Sequence, residues 1–92
     1  MLYAVKCYWP GVDDRELREV AERAVRVAAR NARDEIAFRG SLLFSDDELV
    51  LCLFDGPSRA AIKRASDRIG IPYERVMHAV WLEAAGVSLI GS

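Results

Sequence analysis

The sequence has few of the features that assign a protein to a class at once. It contains two cysteines, Cys7 and Cys52, in 92 residues, and they do not form a Cys-x-x-Cys pair. Two thiols are too few to hold a small secreted domain together, and free cysteines are most often buried in a reduced interior. No apolar run approaches the ~20 residues of a membrane-spanning helix, and no basic region precedes an apolar run near Met1. We therefore expect a cytoplasmic protein without a membrane partner.

An excess of charge of one sign is also missing. Thirteen Lys and Arg residues are balanced by fourteen Asp and Glu residues, which gives a formal net charge of -1. Proteins that bind nucleic acid normally carry a strongly basic surface. Four arginines do recur at helical spacing, but acidic residues flank one end of this arginine stripe (Arg23, Arg26, Arg30 and Arg33). We interpret the stripe as a solvated helix face and predict no nucleic-acid partner.

Standard catalytic and nucleotide-binding motifs are absent from the sequence. It contains no P-loop, no G-x-G-x-x-G, no G-x-S-x-G and no H-E-x-x-H. The sequence therefore favours a binding role over catalysis and indicates no catalytic residue.

Apolar residues, in contrast, are abundant. They make up 52% of the chain, whereas a domain of this size buries only roughly 60–65% of the surface of its unfolded chain. The composition excludes a disordered chain. It also predicts that some apolar surface stays uncovered unless a second chain packs on it.

The periodicity of the apolar residues predicts six elements in a single domain over residues 1–92. Asp13 and Glu16 form a capping-box pattern at the start of the first helix, and Gly70 is suited to end the second helix in a left-handed conformation. Gly40 suggests a bulge in the second strand or a close approach of another segment. The predicted elements are a strand at Leu2–Trp9, a helix from Asp13, strands at Ile36–Phe44 and Glu48–Phe54, a helix from Pro57 or Ser58, and a strand at Arg75–Leu82.

This order predicts an α+β fold, the ferredoxin-like β-α-β-β-α-β sandwich. Right-handed crossovers place both helices on one face of a four-stranded antiparallel sheet, with the first strand between the third and the fourth. The tail over residues 83–92 is less regular, and residues 87–90 could add a short strand.

Several strands do not alternate between apolar and polar residues. Such alternation is expected of a sheet with one solvated face. In the third strand Leu49, Leu51 and Leu53 point to one face while Val50, Cys52 and Phe54 point to the other. Two helices cannot cover both faces, and an open apolar face exceeds what a monomer usually exposes. We therefore predict a homodimer packed face to face. The alternative is that the tail folds back over the open face.

Two constellations of side chains could bind a ligand. Cys7, Cys52 and His78 lie on three neighbouring strands, and thiolate with imidazole suits Zn²⁺, Ni²⁺ or Cu⁺. The alternative is two buried thiols and a hydrogen-bonded core or interface histidine. Lys6 is a charge in the central strand, which is costly unless it is paired. Its head could reach a carboxylate at the rim of the sheet.

A small-molecule pocket is the second interpretation of the same strands. Lys6 could anchor an anion or a carbonyl group in a cavity between the sheet and its partner, with Tyr8, His78 and Trp81 as further lining residues. The protein would then be a dimeric α/β barrel that binds or transforms a small organic molecule.

Short stretches across the chain, taken together, resemble one family of small bacterial proteins. They are Trp9–Gly11, Phe38–Ser41, Asp46–Asp47, Leu51–Pro57 and Gly70–Val76. The family is known as a domain of unknown function and includes a nickel-binding ferredoxin-like protein. The resemblance spans Leu2 to about Leu82 and implies a ferredoxin-like homodimer that, in some members, binds a divalent metal. It implies no catalysis.

The chain departs from this family at two positions. Relatives carry Glu where this chain has Lys6, and many carry His where it has Ala65; these two residue types are the nickel ligands that the resemblance implies. Cys52 matches a family position. We therefore predict a non-enzymatic homodimer in which binding of Ni²⁺ or Zn²⁺ is weak or lost.

Overall fold

The computed structural model describes residues 1–30, 33 and 35–84. The elements are β1 (Leu2–Tyr8), α1 (Asp14–Arg30), β2 (Ala37–Phe44), β3 (Leu49–Asp55), α2 (Arg59–Ile69) and β4 (Tyr73–Ala79). The strands form one antiparallel sheet in the order β2-β3-β1-β4. This confirms the ferredoxin-like topology, with β1 between β3 and β4. Neither described helix is long and apolar enough to span a bilayer.

The predicted bounds are least accurate for β4. It begins at Tyr73 and ends at Ala79, whereas the sequence predicted a strand from Arg75 to Leu82. Hydrogen bonding with β1 ends where Ala79 faces Leu2 at the start of that strand, so the following apolar residues have no partner strand there. The short strand predicted over residues 87–90 lies outside the described residues.

Both helices begin with side-chain caps, of which the one at Asp13 was predicted from the sequence. The Asp13 carboxylate accepts a hydrogen bond from the backbone N–H of Glu16 at 2.8 Å, and the Ser58 hydroxyl accepts one from the N–H of Ala61 at 3.1 Å. These oxygens satisfy N–H groups that have no partner inside the helix. Gly70 ends α2 at φ 81°, a left-handed conformation that glycine adopts without steric cost.

The β2–β3 hairpin carries the predicted bulge. Its register shifts between Phe38 and Gly40, where Gly40 has φ 135°. The tip is a short 3₁₀ turn, Ser45–Asp47, followed by Glu48. The Glu48 carboxylate accepts a hydrogen bond from the N–H of Gly11 at 2.6 Å. The hairpin is therefore tied to the loop that follows β1.

The core lies between the two helices and one face of the sheet. Its most buried side chains come from the middle of β1 and β3 and from α2: Val5, Cys7, Val50, Cys52, Phe54 and Ile62 are each at most 1% exposed. Val20 and Ala24 of α1 pack on the same cluster. The rings of Phe38 and Phe54 extend it across β2 at a centroid distance of 5.2 Å.

The opposite face of the sheet is apolar as well, and we call it the open face. Strand register assigns to it Leu2, Ala4, Lys6 and Tyr8 of β1, Leu42 and Phe44 of β2, Leu49, Leu51 and Leu53 of β3, and Met77 of β4. Leu42 is 51% exposed, Phe44 43% and Tyr8 52%. Both described helices pack on the other side. The excess of apolar residues in the composition is therefore concentrated on the open face.

Candidate functional site

The two cysteines lie on the adjacent strands β1 and β3. Cys52 faces Val5 across the β1–β3 pair, and Cys7 faces Val50, so the cysteines are diagonal neighbours on the helix-covered face. Both are free and buried, and the Cys7 thiol donates to the carbonyl oxygen of Val5 at 3.8 Å. The Ser41 hydroxyl of β2 lies 3.5 Å from the Cys52 Sγ and donates to it.

These contacts act in opposite directions on the two thiols. Interaction with the Cys7 thiol lowers the pKa of Cys52; burial opposes this, and the hydrogen bond from the Ser41 hydroxyl reinforces it. The pKa of Cys7 is raised by its interaction with the Cys52 thiol, by burial, and by the nearby charges of Cys52 and Glu74, which disfavour a second anion. The two shifts therefore belong to the pair of thiols and not to either cysteine alone.

His78 does not join the two thiols. It lies opposite Tyr3 on β4, with the two rings 5.6 Å apart. Tyr3 is four residues from Cys7 along β1, which is about 13 Å at the rise of an extended strand. The structure thus brings together two of the three predicted metal ligands.

The described residues do not fit a nickel or zinc site within one chain. Across residues 1–30, 33 and 35–84, no three His, Cys, Asp or Glu side chains converge on a common position. Structural zinc sites use four ligands and catalytic ones three. The resemblance to the family implies nickel ligands at positions 6 and 65. This chain has Lys6 and Ala65 there, which offer a cation and a methyl group in place of metal ligands. Cys7 and Cys52 alone would supply two ligands, fewer than such sites use.

The predicted small-molecule pocket is divided between two faces of the sheet. Lys6 and Tyr8 lie on the open face, whereas His78 shares the face of Tyr3. The Lys6 Nζ is 3.8 Å from a carboxylate oxygen of Glu74, in agreement with a lysine that reaches a carboxylate at the rim. Lys6, Tyr8 and His78 therefore do not line one cavity.

Trp81 does line a recess, but with other partners. The recess has a volume of about 590 Å³ at one end of the open face, where the chain beyond β4 lies near the sheet. Its apolar walls include Leu2, Leu42 and Leu53. Its polar rim includes Arg39 and Asp55, which form an ion pair at 3.0 Å. Trp81 and Glu83, beyond the end of β4, line this corner of the open face, and residues 85–92 lie outside the described residues.

Three contributors to these sites were not predicted from the sequence: Ser41, the Arg39–Asp55 pair, and the exposed side chains of β2. Each depends on the register of β2 against β3, which the bulge at Gly40 displaces. If the position of the bulge were known to within one residue, the register would place Ser41 opposite Cys52.

The arginine stripe is exposed where the structure describes it. Arg23 donates a hydrogen bond from Nε to the carbonyl oxygen of Ile69 at 3.2 Å and so connects α1 to the end of α2. Arg26, Arg30 and Arg33 are exposed to solvent. This arrangement agrees with a solvated helix face.

Comparisons with known proteins agree with this fold. The family model of SCO4226-like nickel-responsive proteins matches residues 4–78. The crystal structure of SCO4226 from Streptomyces coelicolor A3(2) superimposes with a TM-score of 0.76 at 20% sequence identity, covering 91% of this chain and 100% of that one. At this identity the structural likeness establishes the fold alone. No curated protein matches the chain.

Proposed function

Since the chain belongs to the SCO4226-like family of nickel-responsive proteins, we propose that it is a small non-enzymatic homodimer. The dimer assembles through the open face, and its binding of divalent metal is weak or lost. The proposal rests on the family to which the chain belongs and on the possible metal ligands that this chain itself carries.

The apolar open face is the observation that carries the proposal. Soluble monomers rarely expose a contiguous apolar patch beyond a few hundred Å². Here Tyr8, Leu42 and Phe44 are each about half exposed on one face, beside the three leucines of β3. A two-fold axis would place the same patch of each copy against the other.

The charges around the open face are compatible with this packing. Lys6 pairs with Glu74, and Arg39 pairs with Asp55. These two cations can therefore enter the interface, or remain at its rim, without leaving an isolated charge buried. Arg75, which faces Lys6 across the β1–β4 pair, is exposed on the same face and would stay hydrated at the rim. The formal net charge of -1 per chain gives two copies little mutual repulsion.

The donor set supports weak metal binding. Within the described residues the imidazole of His78 and the two thiols are separated, and both thiols are buried. Nickel binds imidazole and thiolate ligands well only when several of them surround it. A solvent-exposed imidazole such as that of His78 holds a metal ion weakly.

Light scattering and calorimetry with NiCl₂ test the two parts separately. We expect a mass of twice 10.3 kDa at micromolar protein concentration. We expect a weak, incompletely saturating nickel isotherm that His78→Ala reduces further, with Cys7→Ala as a control that leaves it unchanged. A mass of 10.3 kDa would contradict the dimer, and tight stoichiometric binding of nickel would contradict weak or lost metal binding.

A small organic ligand is the second candidate function, and the recess beside Trp81 favours it. Its volume of about 590 Å³ falls in the range of small-molecule pockets, which is about 300–1,000 Å³. In a face-to-face dimer this recess would lie next to the second sheet. Fluorescence of anilinonaphthalene sulfonate tests it: we expect binding that Trp81→Ala abolishes, and equal binding by the variant would exclude the recess as its site.

A further inference from the structure

The recess beside Trp81 has features that select among small organic ligands. It has a volume of about 590 Å³ at one end of the open face, and its apolar walls include Leu2, Leu42 and Leu53. Trp81 and Glu83, from the stretch that follows β4, line the same recess. A ligand bound there therefore meets an apolar floor, an aromatic ring and a carboxylate together.

The exposed indole of Trp81 is the first selective feature. Trp81 is 69% exposed, and its neighbours Val80 and Leu82 are 72% and 82% exposed. A ligand that packs on Trp81 removes part of this apolar area from water. The face of an aromatic ring carries negative charge density, and among the aromatic residues tryptophan attracts cations most strongly. The ring therefore favours an apolar ligand that carries a positive charge.

The charged residues of the recess favour the same class of ligand. Arg39 and Asp55 form an ion pair at 3.0 Å and balance each other. Glu83 is exposed and has no ion-pair partner among the residues that the structure describes. The terminal ammonium of Met1 donates to a backbone carbonyl, and Met1 does not line the recess. One guanidinium and two carboxylates thus give the recess a formal charge of -1.

We propose that this recess binds an organic cation with an apolar body, of the class of alkylated amines and quaternary ammonium compounds. The inference rests on the small-ligand function proposed for the recess and names the class of that ligand. The leucines and the indole contact the alkyl groups, while Glu83 supplies the opposite charge. An anion would meet the unpaired carboxylate of Glu83, because Arg39 is already engaged by Asp55. An uncharged molecule of the same shape would lose the attraction to both the indole and the carboxylate.

Three probes of similar shape and different charge test this inference. Choline carries a trimethylammonium group, 3,3-dimethylbutan-1-ol has carbon in place of its nitrogen, and 3,3-dimethylbutanoate is the corresponding anion. Trp9 and Trp81 are the two tryptophans of the chain, so NMR spectra of the ¹⁵N-labelled full chain contain two indole N–H signals, which Trp81→Phe assigns. We expect choline to shift the Trp81 signal with an affinity about 3–10-fold above that of the alcohol. The anion should bind most weakly, and the Trp9 signal should stay in place.

Variants of the recess give the second part of the test, followed through the backbone amide signals of Leu42 and Leu53. Glu83→Gln should weaken choline binding several-fold at low salt and leave binding of the alcohol unchanged. Glu22→Gln removes an exposed carboxylate on α1, on the other side of the sheet, and should change neither. Trp81→Leu should weaken choline binding more than binding of the alcohol.

The outcomes separate this inference from the small-ligand function on which it rests. Equal affinities for choline and the alcohol, or a higher affinity for the anion, would overturn the cation and leave an apolar ligand in the recess. Absence of binding by all three probes would overturn the inference as well. If anilinonaphthalene sulfonate then also fails to bind, the small-ligand function is refuted with it.

Discussion

Truncation of Leu42 to alanine on the open face should weaken the homodimer without unfolding the protein. Leu42 is 51% exposed in the single chain, so about half of its side chain is available to a partner. It lies on β2 opposite Leu51 of β3, next to the other apolar residues of the open face. The change removes contact surface and leaves the helix-covered core intact.

The size of the effect follows from the exposed fraction. Complete burial of a leucine side chain contributes about 1.5–3 kcal/mol, so burial of the exposed half of Leu42 contributes about 1 kcal/mol. A two-fold axis places this residue in the interface twice, which gives about 2 kcal/mol per dimer. Since each 1.4 kcal/mol is about a tenfold change in Kd, Leu42→Ala should raise the dimer Kd by about 10–30-fold.

Sedimentation velocity over a dilution series measures this Kd. Val25→Ala is the matched control, because Val25 is 56% exposed but lies on α1, away from the open face. We expect the control to dimerise like the natural sequence. An unchanged Kd in Leu42→Ala, or an equal weakening in Val25→Ala, would refute the assignment of the interface.

Three further predictions concern the fold. Phe54→Ala should lower the free energy of unfolding by about 3–5 kcal/mol, because Phe54 is 1% exposed and its removal leaves a cavity; urea denaturation at fixed protein concentration measures the loss. Ser58→Ala should cost about 1 kcal/mol in the same assay, since it removes the cap on the N–H of Ala61. Burial and the hydrogen bond to Asp67 raise the pKa of Tyr73 above its ordinary value of 10.0. Asp67→Asn should lower this pKa, as measured by phenolate absorbance.

Each of these predictions has an outcome that contradicts it. A loss below about 1 kcal/mol in the Phe54 variant would mean that the core collapses around the missing ring. An unchanged stability of the Ser58 variant would mean that water replaces the cap. Because folding raises the pKa of Tyr73, this tyrosine stabilises the native state below the unfolded pKa, and its contribution disappears as pH rises through the folded pKa. An identical alkaline titration of the Asp67 variant would contradict the assigned contact.

The topology could be predicted from the sequence because each element has a local signal. Asp13, Ser58 and Gly70 mark helix ends through hydrogen bonds and a left-handed turn within a few residues. The apolar stripe of α1 and the continuous apolar run of β3 do not depend on distant contacts. Element order then leaves few topologies, because crossovers are right-handed.

The sites could not be predicted as fully, since they depend on register between strands. A register change of one residue moves every side chain to the other face. The bulge at Gly40 and the irregularity between Lys6 and Cys7 determine which residues of β2 and β4 join each face. The sequence therefore identified Cys7 and Cys52 but could not separate His78 from them. It located the apolar excess in β3 and β4, whereas β2 contributes Leu42 and Phe44.

The location of the interface is tested most directly by hydroxyl-radical footprinting of the full chain at protein concentrations above and below the dimer Kd. We expect Tyr8, Leu42 and Phe44 to lose reactivity at the higher concentration, while Val25 on α1 stays equally reactive at both. Protection of Val25 with undiminished labelling of Leu42 and Phe44, or labelling that does not change with concentration, would contradict assembly through the open face.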